Sequence, residues 1–173
     1  EQVKIDEYRL NILPPEEDVD NPSFESCGYL LELDDAYDED GKFLTRRYIP
    51  VLFKDPTTEA YRNKIRDKFL EMELNLKNGN YEEAFEAIDI NSIIDNWLLH
   101  EIAMNAEYKH PKSVYMYMNG DSKIFAGPVW DFDYQTFPNV AGIQAINSKY
   151  SSKNPPAYNF TTNAWLFKNN SAH

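Results

Sequence analysis

Asn105-Ala106-Glu107-Tyr108-Lys109-His110-Pro111-Lys112-Ser113 leads into two strand-like runs, Val114 to Met118 and Lys123 to Gly127. Asn119-Gly120-Asp121-Ser122 joins the runs, and Pro128-Val129-Trp130-Asp131-Phe132-Asp133 follows them. Asn-Gly between two such runs is a strong short-range hairpin signal, because both residue types tolerate the positive φ of tight hairpin turns. With residues 119–122 as the loop, Met118 pairs with Lys123 and Ser113 faces Pro128. The returning strand then carries Asp131 back toward the loop at 107–112, at an inter-strand spacing of about 5 Å. Glu107, Ser113, Asp131 and Asp133 are thereby predicted to form one cluster. Three carboxylates together repel one another unless a divalent cation, a basic side chain or a raised pKa offsets the repulsion. Oxygen donors of this kind suit Mg²⁺, Mn²⁺ or Ca²⁺. The competing reading is salt bridges to Lys109, His110 and Lys112, with no metal.

Upstream, the pattern is helical. Asp55-Pro56-Thr57-Thr58-Glu59 opens a helix with Thr57 or Thr58 as N-cap, and Tyr61, Ile65, Phe69, Met72 and Leu76 form its apolar stripe. Asn78-Gly79-Asn80 stops it, and Tyr81 to Ile88 reads as a shorter helix. Asp89-Ile90-Asn91-Ser92 caps a third, running to Asn105. Its apolar residues nearly encircle it, which predicts a central, buried helix. Glu101, inside that pattern, reads as a buried carboxylate bonded to a neighbouring backbone group. Further back, Gly28-Tyr29-Leu30-Leu31-Glu32-Leu33 is a strand, Asp40-Gly41 a turn, and Phe43 to Phe53 a returning strand, so 28–53 reads as a hairpin. Residues 1–13 read as short strands, and Pro14 to Pro22 as an acidic loop. Downstream, Asn147 to Thr162 reads as loop, with a helix beginning near Thr162 and Trp165-Leu166-Phe167 suggesting that the natural domain continues.

The whole chain has 173 residues, 42% hydrophobic and 14% aromatic, which suits one globular domain. Seventeen Lys+Arg against 29 Asp+Glu give a net charge of -12, a poor partner for a nucleic-acid backbone. No apolar run reaches the roughly 18 residues of a membrane span, and Glu1-Gln2-Val3-Lys4 is not a signal peptide. Cys27 is the only cysteine, so it forms neither an intramolecular disulfide nor a Cys-based zinc site alone. His100 and His110 lack a second His or Cys at ligand spacing. Asp38-Glu39-Asp40-Gly41 fails the EF-hand pattern at Ala36 and Arg47 and reads as a solvated turn. Asn159-Phe160-Thr161 and Asn169-Asn170-Ser171 match the glycosylation tripeptide, a pattern common by chance. Trp97, Trp130 and Trp165 read as core residues, although the aromatic content also admits a carbohydrate-binding module.

Four blocks resemble the spore-coat-protein-H (CotH) kinase-like family. They are Gly28 to Asp34, Ile93-Ile94-Asp95-Asn96-Trp97-Leu98-Leu99-His100-Glu101 with its end at Asn105, Lys112 to Tyr117, and above all Gly127-Pro128-Val129-Trp130-Asp131-Phe132-Asp133. The order of loop, hairpin and metal-binding Asp is also that of protein kinases. The resemblance implies an α+β, atypical protein-kinase-like fold, mainly the larger C-terminal lobe, with the small lobe missing. Residues 1–173 would be a partial domain. It would comprise strands and a hairpin after the hinge (1–56), helices (57–105), catalytic loop, hairpin and metal segment (106–137), and a loop with the start of a C-terminal helix (138–173).

The implied activity is metal- and ATP-dependent phosphoryl transfer to protein Ser/Thr, with Mg²⁺ or Mn²⁺. By resemblance Asp131 and/or Asp133 hold the metal that bridges nucleotide phosphates, Ser113 stands near the position of the family's metal-ligand Asn or Ser and is counted with the metal and nucleotide site, and Glu107 is the catalytic carboxylate. The chain differs in having Glu107 where the family has Asp and no glycine soon after Asp133. It also lacks a glycine-rich phosphate loop, so alone it is expected to bind ATP weakly at best. The implied partners are ATP and an unidentified protein acceptor, and the implied location is exported, periplasmic or cell-surface. The alternatives are a non-catalytic surface pseudokinase or adhesion module and, behind it, a carbohydrate-binding protein.

Overall fold

The computed structural model describes residues 11–34, 41–46, 48–103, 105 and 112–132. These build an α+β arrangement of five strands and three α-helices. The strands are β1 (Gly28–Leu33), β2 (Phe43–Leu44), β3 (Pro50–Phe53), β4 (Val114–Asn119) and β5 (Phe125–Ala126). The helices are α1 (Glu59–Asn78), α2 (Tyr81–Ala87) and α3 (Ile90–Ile102). The sheet order is β2-β3-β1-β4-β5, with every neighbouring pair antiparallel. β1 is the central strand, and the three helices lie in the connection that carries the chain from β3 to β4.

Alternation along the strands sets the two faces. Tyr29, Leu31 and Leu33 of β1 stand opposite Met118, Met116 and Val114 of β4. With Val51 they join Ile65, Phe69, Met72 and Leu76 of α1 in one buried core. The α1 stripe is the one its spacing predicts. Its N-cap is Thr58, whose hydroxyl accepts from the Tyr61 amide at 3.4 Å. Gly79 ends it in the left-handed conformation, φ 79°. Asp89 caps α3, its carboxylate accepting from the Ser92 amide at 2.8 Å. Each of these ends is fixed by chemistry within one turn, so the sequence shows it.

Four expectations are corrected. Phe43 to Phe53 is not one strand. The chain turns between Thr45 and Ile49, where Tyr48 amide donates to Thr45 carbonyl (2.9 Å) and Ile49 amide to Thr45 Oγ1 (3.1 Å). β3 therefore pairs with β1, and β2 folds back to the sheet edge. The β4–β5 register is also shifted by one residue: Tyr117 pairs with Phe125 and Met116 with Ala126. The cause lies in the turn. The Ser122 amide bonds Asn119 carbonyl, Ser122 Oγ accepts from the Asn119 amide, and Lys68 Nζ donates to the Ser122 carbonyl at 2.6 Å. Third, α3 is not buried all round, because Ile94, Leu98, Leu99 and Ile102 are 42 to 70% exposed. Fourth, residues 11–13 form no strand; the expected strands at 1–10 lie outside the described residues. The calcium-loop motif, the glycosylation tripeptides and everything expected beyond Phe132 lie outside them too.

One carboxyl near the core makes a pH prediction. Asp55, just after β3, has a buried Oδ2 without a hydrogen-bond partner, and so does Thr57 at Oγ1. Burial first, then the charges of Glu17 and Asp18, push the Asp55 carboxyl up to about 6 against a partial counter-effect of Lys54. The folded pKa lies above the unfolded value, so the folded state binds more protons between about pH 4 and 6. The Asp55 contribution to stability therefore falls as pH rises through that window. The ceiling is about 3 kcal/mol, and solvent at this half-buried group reduces it to about 1 kcal/mol. Asp55→Asn is expected to be more stable than the parent at pH 7.5 by that amount and to lose its advantage by pH 4. Equal urea midpoints of the two proteins across this range would contradict it.

Candidate functional site

The sheet face away from α1 carries polar chemistry. Glu32 stands opposite Tyr115 across the β1–β4 ladder. It is only 5% exposed although it lies in the central strand. Lys54, one residue past β3, reaches it with Nζ to Oε2 at 2.6 Å. Tyr115 is hydrogen-bonded to Glu32, and its phenol is pushed well above the ordinary value by burial, then by Glu32, Asp131 and Asp34. Ser113 lies just before β4, and its partner Asp131 is close enough to act on the Tyr115 phenol.

Ser113 Oγ donates to Asp131 Oδ2 at 3.3 Å. This joins the loop entering β4 to the segment leaving β5, the closure predicted from the hairpin despite the slipped register. Both residues hold left-handed backbone conformations, with φ 54° at Ser113 and 60° at Asp131. Such conformations cost non-glycine residues roughly 1 kcal/mol or more and concentrate at functional sites. Two of them in mutual contact, 18 residues apart in sequence, mark this point out.

The adjoining residue is anchored as well. The Phe132 ring stacks on His100 of α3 at 4.9 Å between centroids. His100 is buried, and burial pulls its pKa down to about 4, so the imidazole is neutral at pH 7. Its Nδ1 lies 3.1 Å from Asn105 Nδ2. An amide nitrogen only donates, so Nδ1 accepts and the ring proton sits on Nε2. His100 acts here as a packed neutral platform that fixes the 130–132 segment against α3.

Of the residues expected at the site, Ser113 and Asp131 are brought together. Glu107 and Asp133 lie outside the described residues, as do Lys109 and His110; Lys112 is exposed. Glu32, Lys54 and Tyr115 are the neighbours that sequence reasoning missed. The signal was the acid at Glu32 within an otherwise apolar strand, but Tyr115 reaches it only by pairing across more than 80 residues, and Lys54 only through the pairing of β1 with β3. Trp97 packs against the core, whereas Trp130 is 39% exposed. The core expectation thus holds for Trp97 and is corrected for Trp130. Trp165 lies outside the described residues.

Among the described residues no group of three or more His, Cys, Asp or Glu could hold a metal. One carboxylate and one hydroxyl suit Mg²⁺, which commonly takes one or two carboxylates and completes its shell with water and substrate phosphates. Among the described residues no helix is long and apolar enough to cross a membrane. No family model, no curated protein and no solved structure matches this chain.

Proposed function

We propose that the chain carries the metal-binding end of a CotH-like phosphoryl-transfer site, using ATP with Mg²⁺ or Mn²⁺ and acting on protein Ser/Thr hydroxyls in an exported or surface setting. The observation that supports this reading is the Ser113–Asp131 contact, made by two residues in left-handed conformation at the end of the hairpin. In this reading Asp131, with Asp133 beside it in sequence, presents carboxylate oxygens to the metal, and Ser113 orients the Asp131 carboxylate. Glu107 would orient or deprotonate the acceptor hydroxyl. The metal, when bound, would neutralise charge on the transferred phosphoryl group, the main requirement of this chemistry.

The test is calorimetric titration of the full-length gene product with ATP in the presence and absence of Mg²⁺, beside Asp131→Asn. Saturable, Mg²⁺-dependent binding is expected in the parent, weakened at least about tenfold in the variant because a neutral amide is a poor ligand for a hard cation. Ser113→Ala should weaken it less, because it removes only the bond that orients Asp131. No binding by the parent with either Mg²⁺ or Mn²⁺ would end the kinase reading and leave a non-catalytic surface module as the better account.

A further inference from the structure

We propose that the 3-10 turn Glu16–Asp18 is a proton-dependent latch, closed against the 55–58 segment when the Asp55 carboxyl carries its proton and loosened when it does not. The turn is three acids in a row, with no basic residue among them. It meets the segment between β3 and α1, where Glu16 Oε2 accepts from the Thr58 amide at 2.8 Å. On that segment Asp55 Oδ2 and Thr57 Oγ1 are both buried and both without a hydrogen-bond partner. An orphaned buried oxygen costs more as a charged carboxylate than as a neutral acid. The neutral acid also donates a hydrogen bond, which a carboxylate does not.

The charges around Asp55 act in the same sense. Among the described residues Glu17 and Asp18 face it from the turn, and Lys54 faces it from its own segment. The two acids work with burial to keep the proton on, and titration falls at about pH 6. Lys54 opposes them only in part, because its ammonium is committed to Glu32 Oε2 at 2.6 Å. Above that pH Asp55 becomes a third negative charge beside Glu17 and Asp18, and like charges at short range repel.

Repulsion opens the turn rather than the whole fold. Glu17 and Asp18 are exposed, and the turn buries no residue. The chain on either side of it is tied down. The Pro14 carbonyl accepts from the Gly28 amide at 2.8 Å, and the Pro22 carbonyl accepts from the Tyr61 hydroxyl at 3.4 Å. A lightly held turn between two fixed ends is the kind of unit that opens locally. Thr58 is the N-cap of α1, so opening also takes the Glu16 carboxylate from a helix N-terminus, where negative charge is favourable. The latch thus passes the protonation of Asp55 to the first turn of α1.

The test is amide hydrogen exchange by NMR on the full chain between about pH 5 and 7.5, each rate referred to the intrinsic rate at that pH. Protection of the Thr58 and Asp18 amides, which donate to Glu16 Oε2 and the Pro15 carbonyl, is expected to fall about fivefold as pH rises through about 6. It should stay well below that of the core amides of Leu31 and Phe69 throughout. Asp55→Asn should show constant protection across the range. Glu17→Gln with Asp18→Asn changes two exposed residues and leaves the fold intact; it should move the midpoint to lower pH. Constant protection in the parent would overturn the proposal, and so would an unmoved midpoint in the double variant. An equal fall in Asp55→Asn would assign the effect to another group and overturn it. Protection of Thr58 and Asp18 equal to that of Leu31 and Phe69 would mean that the turn opens only with the whole fold, and would overturn it too.

Discussion

Gly28→Ala is expected to destabilise the protein by about 3 kcal/mol or more, read as a large fall in the urea midpoint. A methyl group on Gly28 would collide with the Leu13 carbonyl oxygen and come within 2.6 Å of Ile12 Cγ1. The Leu13 oxygen is backbone, so it moves only if the strap at 11–14 lifts away from β1. That strap is held by three bonds: Gly28 amide to Pro14 carbonyl at 2.8 Å, Leu13 amide to Asn119 Oδ1 at 2.8 Å, and Asn119 Nδ2 to Asn11 carbonyl at 2.9 Å. Lifting it also exposes Ile12, which is otherwise buried. Loss of one aliphatic burial is worth about 2 kcal/mol, and the hydrogen bonds add to it. Gly79→Ala is the control. There a methyl group meets nothing within 4 Å, and only the φ of 79° opposes it, so the cost is about 1 kcal/mol. Similar midpoints for the two variants would contradict the close approach at Gly28.

The same contrast between local and distant causes separates what the sequence reveals from what it hides. The ends of α1 are legible at Thr58 and Gly79 because a cap is made by atoms within a few residues. The β4–β5 hairpin is legible from Asn119-Gly120, but its register is not. That register depends on Ser122 Oγ accepting from Asn119 and on Lys68, more than 50 residues earlier, gripping the turn carbonyls. One residue of slip reverses which partner each side chain faces. α3 reads as buried because its composition is apolar all round, yet the described residues cover only one side. At the site, the hairpin brought Ser113 to Asp131 on local grounds. The pairing of β1 with β4 that sets Glu32 beside Tyr115 has no local signature.

Glu32 is the residue on which that unread half of the site turns, and its removal is the second large effect. Glu32→Ala is expected to cost about 2–3 kcal/mol, less than the penalty for breaking a fully buried ion pair, because the carboxylate is buried while Lys54 keeps contact with solvent. It takes the acceptor from both Lys54 Nζ and the Tyr115 hydroxyl. A central strand buried on both faces would be simpler with an aliphatic residue at this position, since a buried pair returns little net stability for its desolvation. Lys54→Met in the Glu32→Ala background should therefore recover part of the loss, because the stranded ammonium is gone and its packing volume remains. A double-mutant cycle by urea denaturation should give a coupling of about 1.5–3 kcal/mol. Tyr115→Phe alone should cost only about 1 kcal/mol, since Lys54 still satisfies the carboxylate. Additivity of Glu32→Ala and Lys54→Met within about 0.5 kcal/mol would show that the pair is not coupled and that Glu32 is held by Tyr115 and packing instead. Strong coupling would identify a polar centre maintained at an energetic cost beside Asp131, the arrangement expected where a strand serves a site as well as a core.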